Sequence, residues 1–239
     1  ETKWMNLERW KECAVDYDDQ VLWGDESASL PGNAFCGLDL SSVEDMTSLS
    51  AVIEHEGVIK TYVRSWLPEG ALQRRLAKGD YTLEQYVEEG VLHLTPGETV
   101  DYDFIEADIL TMAERVSVQA IGFDRWNSNQ LVNKLQDAGL PMVAFGQGYG
   151  SMNSPMKELM RLTLNKKIEH SNSVLTWAMS NLVTDINPAG DVKPAKDKVK
   201  EKIDPAVSTI MALGMLLSAP EVGHGWDHVT DDDIDDLLA

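Results

Sequence analysis

Long apolar runs are missing from this sequence. No stretch of 18 apolar residues and no charged-then-apolar leader occurs in its 239 residues, so the expectation is a chain that neither crosses a membrane as a helix nor carries an export signal. Cysteine is nearly absent: Cys13 and Cys36 stand without metal-ligand spacing, which excludes a disulfide framework and suits a reducing cytoplasm. Basic residues are scarce as well. The 20 Lys and Arg against 40 Asp and Glu give a net charge of −20, which argues against a body-wide nucleic-acid surface. The chain opens on Glu rather than Met and reads as a soluble piece of something longer. What it does have is 43% hydrophobic residues, enough for one sizeable core, so a single domain with tails is expected.

The charge is unevenly spread. Seven acids (Glu221, Asp227, Asp231, Asp232, Asp233, Asp235, Asp236) fall in the last 19 residues, which contain no Lys or Arg. Residues 221–239 therefore read as an acidic, disordered tail. Lys193, Lys196, Lys198, Lys200 and Lys202 form the opposite feature, a local basic patch on an acidic body. Residues 1–34 show no sustained period beyond a short amphipathic helix in "NLERWKECAV" and read as a linker and first packing segment. Residues 35–220 read as the folded domain.

From Phe35 the pattern is strand, turn, strand, strand, with Gly57 at a hairpin tip. Val91 to Leu94 reads as a minor strand. Apolar residues at helical spacing predict a helix from about Tyr102 to Glu114. "VQAIGFDRW" predicts a strand ending on Asp124. It is followed by the helix "NSNQLVNKLQDAG", capped by Asn127 or Ser128 and stopped by Gly139, and by a parallel strand in "PMVAFGQG". Helices are expected in "SPMKELMRLTLNKKI", "SVLTWAMSNLVTDIN" and "DPAVSTIMALGMLLS", with a Lys-rich turn region before the last. The order predicts an α/β fold, a mixed sheet flanked by helices.

Few segments carry chemistry. The Gly-rich "FGQGYGSMN" lacks the Lys-Ser/Thr ending of a phosphate loop and the spacing of a dinucleotide fingerprint, so it reads as a flexible loop. His224 and His228 have helical ligand spacing, but sit in the acidic tail and read as part of it. His55, His93 and His170 are isolated. No Ser-His-Asp or Cys-His set is supported.

Three acids differ. Asp39 lies inside an apolar strand, Asp124 ends another, and Asp204 opens the last helix. If those strands are neighbours, Asp39 and Asp124 meet at one edge and Asp204 can join them. Three such carboxylates repel unless a cation neutralises them, and hard oxygen ligands suit Mg²⁺ or Mn²⁺. The expected partner of Asp39 is thus a metal. Alternatives stay open: Asp204 before Pro205 is an ordinary helix start, and Asp124 has Arg125 beside it.

Together these segments, from Trp4 to about Ser218, resemble the nuclease domain of the large terminase subunit of tailed bacteriophages. "GLDLSSVEDMT", with Asp39, Asp45 and Thr47, is similar to the family's first-strand pattern, and "IGFDRWNSNQLVNKLQDAG" to its second-acid strand. "MNSPMKELMRL", "IEHSNSVLTWAMSN" and "KPAKDKVKEKIDPAVSTIMAL" match the downstream regions. Ser173 and Pro205 depart from the usual Pro and Gly.

The resemblance implies a ribonuclease H-like fold and two-metal hydrolysis of DNA phosphodiesters during cutting of concatemeric viral DNA. It implies that Asp39 bridges two ions, Mg²⁺ or Mn²⁺, that Asp124 and Asp204 each complete one site, and that Asp45 is a further ligand or orients bound water. Lys193, Lys196, Lys198, Lys200, Lys202 and Arg125 would contact double-stranded DNA. Implied partners are the packaging ATPase domain of the same polypeptide, the small terminase subunit and the portal, in the cytoplasm of an infected bacterium. Two rivals are another ribonuclease H-like enzyme, such as a junction resolvase or transposase core, and a non-catalytic docking module of the motor.

Overall fold

The computed structural model describes residues 4–24, 32–41, 44–124, 129–199 and 201–219. The acidic tail, with His224 and His228, lies outside the described residues, as do Arg125, Asn127, Ser128 and Lys200.

The sheet grows from a meander. Strands β1 (Asn33–Asp39), β2 (Thr47–His55) and β3 (Val58–Pro68) pair antiparallel. The β2–β3 hairpin turns on Glu56 and Gly57, both at positive φ (52° and 74°), which matches the right-handed twist of the flanking strands. Helices α1 (Leu7–Glu12), α2 (Glu69–Leu76) and α3 (Glu84–Glu88) and strand β4 (Leu92–Thr95) surround this unit. Helix α4 (Tyr102–Ala113) begins where the Asp101 carboxylate accepts the amides of Asp103 and Phe104. Strand β5 (Ser117–Phe123), helix α5 (Asn129–Asp137) and strand β6 (Met142–Ala144) complete a parallel crossover beside β1. Gly139, at φ 88°, stops α5 as expected. The order is β4-β3-β2-β1-β5-β6, with the short strand β7 (Ile168–Glu169) also on β3.

Two helices and a hairpin follow, and they differ from expectation. Helix α6 runs Tyr149–Leu164, so Pro155, expected near its start, lies inside it. The buried row Met152, Met156, Leu159 and Leu162 extends the apolar face one turn upstream of the proline and carries the helix into the Gly-rich segment. Helix α7 (Ser173–Asn181) ends six residues short of the helix expected in "SVLTWAMSNLVTDIN": strand β8 (Thr184–Ile186) occupies the end of that segment and pairs antiparallel with β9 (Val192–Pro194), which lies in the region read as a Lys-rich turn. Asn153 of α6 docks this hairpin, donating to Asp191 at 3.0 Å and accepting the Val192 amide at 3.0 Å.

Helix α8 (Asp204–Leu217) is the pivot. It crosses β1, β2 and β5, with Ala206, Val207, Ile210, Met211 and Leu213 fully buried. Fully burying each larger apolar side chain contributes about 1.5–3 kcal/mol. The helix reaches the strand backbone because Gly37 has no side chain: a Cβ there would stand 2.1 Å from the Ser208 carbonyl oxygen and 2.6 Å from the Ala212 nitrogen. The Ser50 hydroxyl pairs with those of Ser208 at 2.7 Å and Thr209 at 2.9 Å. A second apolar layer, from Leu38, Leu49, Ile105, Ile109, Met112, Leu131 and Leu135, covers the opposite face under α4 and α5. The N-terminal segment belongs to both layers, Trp10 to the first and Leu22 and Trp23 to the second. Among the described residues, no helix is long and apolar enough to cross a membrane.

Candidate active site

Strands β1, β5 and β6 run parallel, so their carboxyl ends open on one edge, where open α/β sheets place their ligands. Asp39 is the last residue of β1. Leu38 pairs with Phe123, so Asp124 leaves β5 at the same level. Gln147 follows β6 by three residues. The first residue of α8, Asp204, comes to the same edge, placed by the flush contact at Gly37. Asp204 is not a helix cap: Ile203 occupies that position, and no side-chain cap bond forms.

Asp39 is 2% exposed. Its partners are Lys196, whose ammonium lies 2.9 Å from Oδ1 and 2.8 Å from Oδ2, and Gln147, whose amide donates to Oδ1 at 3.0 Å. Burial alone would lower the Lys196 pKa, but the charge and hydrogen bonds of Asp39, then the charges of Asp204 and Asp124, raise it. Asp204 is pushed well above the ordinary carboxylate range, first by burial and then by the charges of Asp39 and Asp45, with Lys196 opposing. Lys196 thus lies in the field of Asp39, Asp204 and Asp124, and Asp204 in that of Asp39 and Asp45.

Asp45 lies on the loop from β1 to β2, held from several sides. The Met46 amide donates to its Oδ1 at 2.7 Å, and the Ser41 hydroxyl donates to its carbonyl oxygen at 2.7 Å. Thr47 Oγ1 accepts the Ser41 amide at 3.2 Å, while the Tyr102 hydroxyl donates to the Ser41 carbonyl at 2.9 Å. Lys202 reaches Asp45 Oδ1 at 2.5 Å.

A family model described as the terminase large subunit, endonuclease domain, matches residues 1–219. This chain belongs to that family. The large terminase subunit of Enterobacteria phage HK97 is 34% identical over 217 residues, which cover 88% of this chain and 43% of the relative. The crystal structure of the HK97 large terminase superposes with a TM-score of 0.75 at 31% identity, over 89% of this chain and 43% of that one. The chain thus spans less than half the length of that relative. Two other solved structures share the fold alone. The large terminase nuclease of the thermophilic phage G20c with bound magnesium has a TM-score of 0.52 at 11% identity, over 79% of this chain and 84% of that one. The large terminase of a second thermophilic bacteriophage, in complex with ADP, has a TM-score of 0.51 at 12% identity, over 87% of this chain and 43% of that one. The mixed sheet and its helices are the ribonuclease H-like α/β architecture of terminase nucleases.

In this terminase nuclease domain the described lysines of the run, Lys193, Lys196, Lys198 and Lys202, are engaged with acids. Lys196, expected to face DNA, turns inward to Asp39. Lys193 lies 4.0 Å from Asp185 and 5.2 Å from the Tyr149 ring centre, and Lys198 lies 2.5 Å from Asp185. Gln147 is not among the expected site residues, because its Gly-rich segment reads as a flexible loop. The signal was positional, the first polar side chain after the third parallel strand. Among the described residues, no three His, Cys, Asp or Glu side chains are gathered at ligand spacing. A cleft of about 210 Å³ beside Lys196 is lined by Gln147, Met152, Lys193, Pro194 and Asp197. A larger groove of about 540 Å³, bordered by Leu7, Tyr86, His170 and Trp177, shares no residue with the carboxylate cluster. Nor do the isolated histidines join it. His93 bonds Gln20 at 3.0 Å and is driven down to about 4, chiefly by burial, while His170 stacks on Trp10 at 4.0 Å.

Proposed function

We propose that this chain is a divalent-metal-dependent endodeoxyribonuclease that cuts concatemeric viral DNA during genome packaging. The observation that carries the reading is Asp39, 2% exposed at the carboxyl end of β1 and held by Lys196, whose ammonium also lies in the field of Asp124 and Asp204 at the same sheet edge. The donor set fits the metal: all its groups are hard carboxylate oxygens, and their mutual repulsion, expressed at Asp204, is what a divalent cation relieves. Asp39, Asp124 and Asp204 would hold the metal, and Asp45 would be a further ligand or orient bound water. Bound Mg²⁺ or Mn²⁺ would supply an activated water and neutralise charge on the leaving 3′ oxygen.

The chain's own residues prepare this edge. The Gln147 amide fixes the Asp39 carboxylate, and Ser41, Thr47 and Tyr102 fix the loop bearing Asp45. Divalent metal is supported by the G20c nuclease, known with magnesium and also with cobalt. A packaging ATPase domain in the same polypeptide is supported by the HK97 relative, of which this chain spans 43%, and by the second thermophilic phage's large terminase, known with ADP. In this reading residues 35–220 are the nuclease body and double-stranded DNA is the substrate. The small terminase subunit and portal are the partners, in the cytoplasm of an infected bacterium.

The test is incubation of the purified chain with plasmid in Mn²⁺ or Mg²⁺ and in EDTA, with Asp39→Ala as control. Metal-dependent nicking and linearisation lost in the variant is expected, whereas no cleavage under any ion would favour a docking role. Preference for branched over linear duplex in the same assay would instead favour a resolvase-like enzyme.

A further inference from the structure

Two of the lysines bind proposed metal ligands, and two do not. Lys196 holds both oxygens of Asp39, and Lys202 holds Asp45. Lys193 and Lys198 share Asp185, which lies on the β8–β9 hairpin and is not a proposed ligand. Resting on the nuclease reading above, we infer that Lys196 and Lys202 are exchangeable counter-ions, neutralising Asp39 and Asp45 until a divalent ion takes those carboxylates, then passing to DNA backbone phosphates.

Four observations carry this. A carboxylate offers about four lone-pair positions. Lys196 uses both oxygens of Asp39 and Gln147 uses Oδ1 again, so an ion approaching Asp39 competes directly with the ammonium. Both lysines can leave without disturbing the core, since their side chains are 42% and 28% exposed. Lys196 also lines the cleft of about 210 Å³ with Gln147 and Lys193, which gives the released ammonium a place beside the site. A chain of net charge −20 otherwise offers DNA little free positive charge, because the described lysines of this run are engaged with acids. Metal loading releases two of them, so metal and DNA bind with positive and reciprocal coupling.

Calcium, a hard cation that takes the same carboxylate oxygens, serves as the probe, with the duplex checked for integrity on a gel. Calorimetry gives the calcium affinity, and anisotropy of a labelled duplex across a salt series gives the slope of DNA binding, in EDTA and in calcium. In the parent chain, calcium should steepen that slope by about two, at ~0.9 per added phosphate contact. The Lys196→Met/Lys202→Met double variant should bind calcium about tenfold more tightly, having lost the competing ammonium groups, and its slope should not change with calcium. Lys202→Met alone should show about half the slope change. Lys198→Met should leave calcium affinity at the parent value. Calcium affinity that is unchanged or weaker in the double variant, or raised equally by Lys198→Met, overturns the exchange. So does a parent slope identical in EDTA and calcium. If neither protein binds calcium, magnesium or manganese, the nuclease reading fails and the exchange with it, whereas binding that the double variant does not strengthen overturns the exchange alone.

Discussion

Asp39 and Asp108 are both shielded from solvent, on opposite sides of the meander, and they are satisfied differently. Asp108 of α4 accepts from the Arg64 guanidinium at 3.0 Å and from the Trp66 indole at 2.8 Å, while Gln20 occupies another Arg64 nitrogen at 3.0 Å. One acid meets one arginine there, and the group is charge-balanced. At the carboxyl edge Asp39 also has a cation, Lys196, but shares its field with Asp124 and Asp204, and the proton affinity of Asp204 rises with burial and with its acidic neighbours. A balanced buried pair holds elements together, whereas an excess of acid is tolerated only where a further cation can come. On the nuclease reading, the imbalance, more than burial, is what separates Asp39 from Asp108.

The largest effect should come from neutralising one acid of the unbalanced cluster. Asp204→Asn should cut plasmid cleavage by about 10³-fold or more, since electrostatic stabilisation of the transition state depends on the held metal. The variant's melting temperature in EDTA should match or exceed that of the parent. Cleavage near the parent rate would remove Asp204 from the site.

Breaking the balanced pair should do the reverse. Arg64→Met leaves Asp108 without its cation and should destabilise the fold by about 3 kcal/mol, read from urea unfolding, while metal-induced stabilisation survives. Loss of the metal response there would mean that the two regions are not separable.

Between the two regions lies Gly37, where Ala should cost about 1–3 kcal/mol by lifting α8 off β1. Because α8 carries Asp204, cleavage should fall by more than the stability loss explains at a temperature where the variant is folded. Equal falls would make the glycine a matter of packing only.

A smaller effect concerns pH. Asp204 binds its proton more tightly folded than unfolded, so without metal the folded state keeps that proton above the ordinary value of 3.8. The contribution of Asp204 to stability should therefore fall as pH rises from about 4 through the raised folded value, and it is read as the difference between the pH profiles of the parent and Asp204→Asn. Parallel melting profiles of the parent and Asp204→Asn across that window in EDTA would contradict the placement of Asp204.

Much of this was legible in the chain. The β2–β3 hairpin, α4 and the crossover around β5 follow from strong local periods and caps, and Asp39 stood out because an acid inside an apolar strand needs a partner. The identity of that partner was not legible. One lysine in a run of five looks like the others, and only the docking of β8–β9 onto α6 turns Lys196 inward. Those two strands are three residues long, too short to show a period of two. Gln147 was hidden for a related reason: its role comes from the parallel order of β1, β5 and β6, which no local pattern encodes.

The measurement that tests the central claim most directly is thermal unfolding of the parent chain and Asp39→Asn across a Mn²⁺ or Mg²⁺ titration. A cation bound only by the folded carboxylate edge should raise the parent's melting temperature with concentration, by about 2.7 kcal/mol of stability at a hundred times the dissociation constant. The variant should lose most of that rise. A parent melting temperature that stays flat through millimolar metal, or an equal rise in Asp39→Asn, would contradict the account.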